Sequence, residues 1–308
     1  CNRTIYQMNN PEEAEGWGVD DVQKGIVTWD MSRWPWILAV NNLRAIPTMG
    51  LGLGALALAE RDKRAAGWHD AAVDSTRRFL DLFEPDGSYE EGISYVDFAF
   101  RTLFLFLEAD YRMGSDIDWV REGNLDGVIR YITALQNGRK DDGDPDIINI
   151  SDSRHSVFTC VTSWIASRSD NSLASYAAQE FSRAGYFADF LWYRPNRAGE
   201  PPSDDLKNVR LDLDWVVART GWGDDDTVVS FRSGGPTNHE HADRNTFMLK
   251  AGGERLLTEH FGASYNPQQP HGLLRLPRAH NAVLVNGEGH QYHHGEEGTN
   301  ASNASASI

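Results

Sequence analysis

The residues best suited to chemistry lie in one stretch, Asn238-His239-Glu240-His241-Ala242-Asp243-Arg244-Asn245-Thr246-Phe247. Residues two apart in a strand point to the same face. If this stretch is extended, His239, His241 and Asp243 share a face and Glu240 points away. Neutral imidazole is the commonest metal ligand and also a general acid or base. A third histidine, His280, opens a strand-like run that ends at Val285, and Glu259 follows the strand-like Leu256-Leu257-Thr258. Three neighbouring strands would bring His241, Glu259 and His280 together, and two imidazoles with one carboxylate suit zinc. A polar surface strand carrying histidines accounts for the same spacing, with Glu259 and His280 as edge residues that never meet.

A second set lies nearer the N-terminus: Asn41-Asn42 at the end of an apolar run, and Tyr95 in Asp86-Gly87-Ser88-Tyr89-Glu90-Glu91-Gly92-Ile93-Ser94-Tyr95. Adjacent amides on an apolar helix are costly to bury unless hydrogen-bonded. A buried tyrosine hydroxyl likewise needs a partner. Satisfied core residues would explain both without any further role. Between the two sets runs a polar loop, Gly138 to Asp146, followed by Asp152-Ser153-Arg154-His155. Loops of this kind often border sites, although its acidic part reads as a solvated connector. Arg154 and His155 are candidate carboxylate binders, since a guanidinium suits planar, bidentate recognition.

The elements that must position these groups change character along the chain. Residues 1–195 read as helical. An apolar run covers Trp34 to Asn42, and Gly50, Gly52 and Gly54 lead into a small-residue helix from Ala55 to Glu60. The 3.6-residue spacing of apolar side chains predicts a helix from Ala65 to Phe83 and another from Ile93 to Met113. Further helices are expected over Trp119–Leu135, Val157–Ser167 and Leu173–Tyr193. A proline-bearing, charged linker covers 196–210. From 211 to 308 the period falls to two, with strands over Asp214–Thr220, Thr227–Arg232, Phe247–Lys250, Arg255–Thr258 and Ala282–Val285. Helices followed by antiparallel strands predict an α+β chain of two domains.

Composition narrows the partners. The formal charge of −16 leaves no basic stripe to neutralise phosphates, so nucleic acid is not an expected partner. A local Arg cluster can still bind an anion inside an acidic shell. The longest apolar run, near Leu51 to Ala59, is far too short to span a bilayer. Two cysteines, Cys1 and Cys160, make neither a disulfide framework nor a Cys-type zinc site. The abrupt start at Cys1 and the Ser/Asn/Ala-rich end read as those of a fragment or processed product.

Taken together, these pieces resemble the heparinase II/III-like polysaccharide lyases. The resemblance rests on Asn41-Asn42, on the Asp86-Gly87 to Tyr95 segment and on Phe231-Arg232-Ser233-Gly234. It rests further on His239-x-His241-Ala242-Asp243, Gly252-Gly253-Glu254-Arg255-Leu256-Leu257 and Ala279-His280-Asn281-Ala282-Val283-Leu284-Val285-Asn286-Gly287. It implies an incomplete (α/α) toroid of antiparallel helices followed by an antiparallel β-sandwich, with the site in the cleft between them. The implied reaction is β-elimination on a uronic-acid-containing anionic polysaccharide such as alginate or a glycosaminoglycan, in a periplasmic or secreted setting. By the resemblance, Asn42 (or Asn41) neutralises the uronate carboxylate and Tyr95 serves as acid and, for one stereochemistry, as base. His239 is the second catalytic group, and Glu91, Arg154 and His155 contact substrate. His241, Glu259 and His280 match the family's zinc positions, with the metal structural. Glu259 stands where the family usually has Asp, and its neighbour His260 is an alternative ligand.

Two other readings compete. A metal-dependent hydrolase or oxygenase would use His239, His241 and Glu259 as a two-His-one-carboxylate site. A non-catalytic carbohydrate-binding protein would keep an aromatic cleft, consistent with ten Trp and ten Tyr, without the chemistry.

Overall fold

A computed structural model describes residues 2–13, 38–235, 237, 239–264, 269–290 and 304–308. The start of the first apolar run, Asn238 and the segment from Gln291 to Asn303 lie outside the described residues.

The N-terminal part is a succession of helices: α1 (Asn2–Asn9), α2 (Ala45–Leu58), α3 (Ala65–Leu80) and α4 (Ile93–Arg112). The glycines expected to precede a helix lie inside α2 instead. Each costs about 1 kcal/mol relative to Ala in a helix interior. At Gly52 the close approach explains the choice, because a Cβ there would stand 2.3 Å from the Phe106 ring of α4. Helix α4 carries the main core face, with Ile93, Val96, Phe100, Leu103, Phe104 and Leu107 fully buried.

Two helices predicted as continuous are broken. α5 (Trp119–Glu122) and α6 (Leu125–Ala134) are separated at Gly123-Asn124, where Asn124 adopts a left-handed φ of 45°. α8 (Ser172–Glu180) and α9 (Asp189–Trp192) are separated by a loop around Gly185, at φ 131°. α7 (Thr159–Arg168) lies between these pairs in sequence. The polar loop expected after Gly138 is flanked by a short antiparallel ribbon, β1 (Gln136–Arg139) with β2 (Pro145–Ile147).

The C-terminal part is a five-stranded antiparallel meander, β3 (Asn208–Leu211), β4 (Trp215–Arg219), β5 (Val228–Arg232), β6 (Thr246–Ala251) and β7 (Glu254–Leu257), in sequential order. β3 starts inside the expected linker; its backbone pairs with β4 through Leu211 opposite Trp215. The strand expected over Ala282–Val285 does not form. Val283 and Val285 are 83% and 70% exposed, and only an isolated bridge joins Val285 to Glu288. Ala282 and Leu284 are half-buried, but the run pairs with no neighbouring strand among the described residues.

One hydrophobic cluster joins helices and sheet, running from α4 through Tyr131 and Ile147 to Trp215, Val217, Val228 and Met248. Polar clamps reinforce it. Arg219 Nη1 donates to the Gln136 carbonyl at 2.8 Å, and Lys250 Nζ to the Asn137 carbonyl at 2.6 Å. Arg255 Nε meets Asp146 Oδ2 at 2.8 Å.

Candidate active site

The His-x-His stretch is not a strand. It is a buried connection between β5 and β6, and His239 has a left-handed φ of 57°. The expected alternation, with His239 and His241 on one strand face, is therefore corrected. Ion pairs hold the connection: Glu240, fully buried, meets Arg232 at 3.3 Å and also Arg244, while Arg232 also pairs with Asp243. Burial raises the Glu240 carboxyl above its usual range, and the two guanidiniums oppose that shift. The Asp152 amide donates to the His239 carbonyl at 3.2 Å, and the Ala242 amide to the Arg275 carbonyl at 2.9 Å.

Three segments bring the catalytic candidates together. Asn41 caps the 3-10 turn Asn42–Arg44, its Oδ1 accepting from the Leu43 amide at 2.9 Å. Asn42 donates twice to Glu91 Oε2, from its backbone N at 2.8 Å and from Nδ2 at 2.9 Å. The Tyr89 hydroxyl donates to the same oxygen. Glu91 has no exposed surface, so its carboxylate acts as the anchor of Asn42, a different place from the substrate contact expected for it. Gly92, at φ 90°, turns the chain into α4, and Tyr95 follows in the first turn. The Tyr95 ring lies flat against the His239 imidazole, with centroids 3.9 Å apart and planes 6° apart. His239 Nε2 stands 3.8 Å from Glu91 Oε1, and Nδ1 stands 3.9 Å from Asp152 Oδ2. Burial lowers the His239 pKa, with Glu91 and Asp152 partly opposing the shift.

Asp152 is the residue that sequence reasoning undervalued. It opens the Asp152-Ser153-Arg154-His155 run, in which the basic residues are the expected carboxylate binders. Its Oδ1 lies 2.8 Å from His241 Nε2, and Arg275 Nη1 lies 3.4 Å from its Oδ2. One buried carboxylate thus stands beside both imidazoles of the motif. Arg154 is exposed, and its amide donates to Ser94 Oγ at 2.8 Å. His155 is half-buried; its Nδ1 lies 2.8 Å from the Ser156 carbonyl, and burial lowers its pKa to about 4.

Among the described residues, one group could hold a metal: His241, Asp243 and His280, whose ligand atoms lie within 4.8 Å of one another. Glu259 meets His280 Nδ1 and the Thr246 hydroxyl, and is 2% exposed. His280 Nε2 is buried with no hydrogen-bond partner among the described residues. Each imidazole therefore has one ring nitrogen on a carboxylate, Asp152 or Glu259. That is how metal-binding histidines are commonly oriented. Two imidazole nitrogens and a carboxylate form a donor set that fits zinc. His239 stands outside the group, and the exposed His260 does not join it.

The comparisons with known proteins agree with this architecture. Residues 208–307 match the family model described as Heparinase II/III-like, C-terminal. A search of curated proteins finds no match. Among solved structures, one titled Heparinase III aligns at 15% identity with a TM-score of 0.63, covering 85% of this chain and 40% of that one. A mutant of the heparan sulfate lyase HepC from Pedobacter heparinus aligns at 16% identity with a TM-score of 0.59, covering 80% of this chain and 37% of that one. The chain thus spans about two fifths of the length of the structures it matches. The chain shares the mixed helical and antiparallel-sheet fold of these structures, and its residues 208–307 are similar to the heparinase II/III-like C-terminal family.

Proposed function

We propose that the chain carries the catalytic cluster of a polysaccharide lyase that cleaves a uronic-acid-containing polysaccharide by β-elimination. The observation that carries this reading is the Tyr95–His239 stack beside the buried Asn41-Asn42 pair. Removing the C5 proton of a uronate builds charge on the adjacent carboxylate. Donors aimed at that charge lower the barrier. Asn42, pinned by two hydrogen bonds to Glu91, supplies a fixed amide for this role, with Asn41 next to it. Tyr95 and His239, sharing one stack, divide the proton transfers: one takes the C5 proton and the other protonates the leaving oxygen.

The solved neighbours named heparinase III and heparan sulfate lyase favour a glycosaminoglycan over alginate as the substrate class. A periplasmic or secreted setting goes with such a substrate; no helix among the described residues is long and apolar enough to cross a membrane. A zinc ion would be held by His241 and His280 with Asp243, and Glu259 would orient His280. Bound there, the ion would fix the connection that carries His239, as a structural cross-link. The competing two-His-one-carboxylate reading needs His239 and Glu259 in one cluster with His241, and those three do not converge among the described residues.

The test is the ultraviolet absorbance of unsaturated uronate on incubation with heparan sulfate, chondroitin, hyaluronan and alginate. Product is expected from at least one glycosaminoglycan, and Tyr95→Phe should lower its rate by about 10²-fold or more with an unchanged circular dichroism spectrum. A fully active Tyr95→Phe, or no product from any substrate, would overturn the reading.

A further inference from the structure

Beyond the catalytic cluster, the segment 153–158 runs along α4 from Ser94 towards Arg101. Ser94 Oγ binds the His155 carbonyl at 2.9 Å, and Asp97 Oδ1 accepts the Phe158 amide at 2.7 Å. Arg101 then lies over the Phe158 ring at 5.3 Å and over Tyr186 at 5.2 Å. A second guanidinium, that of Arg183, lies over Phe158 at 4.1 Å. Arg183 is placed by its backbone: its amide donates to the Val157 carbonyl and its carbonyl accepts from the Thr159 amide, both at 3.0 Å. Two guanidiniums are therefore built onto one phenyl ring. From Ser94 to Arg101 the helix rises about 10 Å, so this cluster lies about two turns along α4 from Tyr95.

Its charge is poorly compensated from within. Among the described residues, Arg183 has no carboxylate in ion-pair range, and its buried Nε has no hydrogen-bond partner. Asp97, the carboxylate facing both cations, is 3.7 Å from Arg101 and engaged with the Phe158 amide. Asp189, the other nearby carboxylate, accepts from the Cys160, Gly185 and Tyr186 amides, so two guanidiniums on one aromatic ring have one ion-paired carboxylate between them and can take an external anion. Next to them an aromatic face opens outward. Tyr186 packs on Phe158 at 5.5 Å and on Phe187 at 4.6 Å, while Phe187 and Phe190 are 60% and 92% exposed. Large rings left in water mark binding surfaces, and they suit the apolar face of a sugar.

We infer that Arg101 and Arg183, with Phe158, Tyr186 and Phe187, form a subsite for an anionic group, carboxylate or sulfate, on a sugar neighbouring the one that reacts. Its role in turnover rests on the lyase reading, whereas its binding of an anionic oligosaccharide can be measured without turnover. The test titrates the chain with uronate tetrasaccharides, one set sulfated and one unsulfated, following binding by calorimetry and turnover by absorbance. Arg101→Gln and Arg183→Gln should each weaken binding and raise KM by about tenfold, leaving kcat near wild type. Asp97→Asn keeps an acceptor for the Phe158 amide but removes the opposing charge, so it should tighten binding severalfold. A damaged fold cannot mimic that gain. Loss confined to the sulfated set identifies the group as sulfate, and loss on both sets identifies carboxylate. Wild-type affinity and KM in both arginine variants, or no tightening in Asp97→Asn, would overturn the subsite. Absence of unsaturated product from wild type, with the arginine-dependent binding intact, would sink the lyase reading alone.

Discussion

At the scale of single residues, the two histidines of the motif share Asp152 but differ in their other neighbours, and substitution should separate them. His239 stacks on Tyr95, whereas His241 is fully buried against Asp152 and close to His280, the rings 5.3 Å apart. His239→Asn is the informative variant, because Asn tolerates the left-handed backbone at that position better than most non-glycine residues. It should lower turnover by about 10²–10⁴-fold, with melting temperature and zinc uptake unchanged. His241→Ala should abolish zinc uptake and lower stability by about 2–3 kcal/mol, since it removes the imidazole 2.8 Å from the buried Asp152 carboxylate. Metal content by elemental analysis, melting curves and rates on the same samples separate the two. Equal loss of metal in both variants would contradict the division of labour. The division was only partly legible in the sequence. The resemblance points to Asn42 (or Asn41), Tyr95 and His239 as catalytic candidates and to His241, Glu259 and His280 as metal candidates. The place of Asp152 beside both imidazoles depends on a connection folded through a left-handed residue. Strand alternation cannot foresee that.

At the scale of elements, the turn into α4 sets the distance between the Asn42–Glu91 pair and the 150–155 segment. Gly92 makes it possible: its φ is 90°, and a Cβ there would fall 2.2 Å from Ser153 Oγ. Gly92→Ala should therefore cost about 1–3 kcal/mol in backbone strain. It should also push Ser153, and with it Asp152, away from His239, so activity should fall more than stability. Urea unfolding and rates together check this; a variant as active and stable as wild type would show that the turn tolerates a side chain. The same segment carries His155, whose folded pKa is lowered to about 4 by burial, with Arg183 and Arg101 adding to it. The unfolded chain takes up that proton first, near 6.5, so the stability from a neutral His155 is present above pH 6.5 and lost as pH falls towards 4. His155→Gln should flatten that part of the urea-midpoint profile, and an unchanged slope would assign the acid sensitivity elsewhere. Periodicity predicted α3 and α4 because their apolar faces are long and regular. It ran α5 into α6 because a left-handed Asn inside an amphipathic pattern leaves no mark on the spacing.

At the scale of the molecule, the sequence divides into a helical part and a strand part, yet the folded chain gives them a common core. Trp215 of β4 is 1% exposed and packs near Tyr131 of α6, and Arg219 of β4 is 7% exposed with its guanidinium on carbonyls at the end of α6 and in β1. Burial lowers the Arg219 pKa to about 10, still leaving it charged at neutral pH. A buried cation whose two Nη atoms donate to carbonyls across the junction ties the loss of one part to the loss of the other. Unfolding should accordingly be a single transition in calorimetry, with the near- and far-ultraviolet signals coincident. Arg219→Met keeps much of the volume but removes the donors, leaving the Ala134 and Gln136 carbonyls without that partner. It should cost about 2–4 kcal/mol and, by loosening the junction, separate the helical and sheet transitions. The site spans this junction, with Asn42, Glu91, Tyr95 and Asp152 on the helical side and His239 and His241 on the strand side. Activity in Arg219→Met should therefore be lost at the first transition to appear on heating. Two transitions in the wild-type chain, with activity surviving the first, would show that the two parts fold independently and that the Tyr95–His239 stack does not depend on their union.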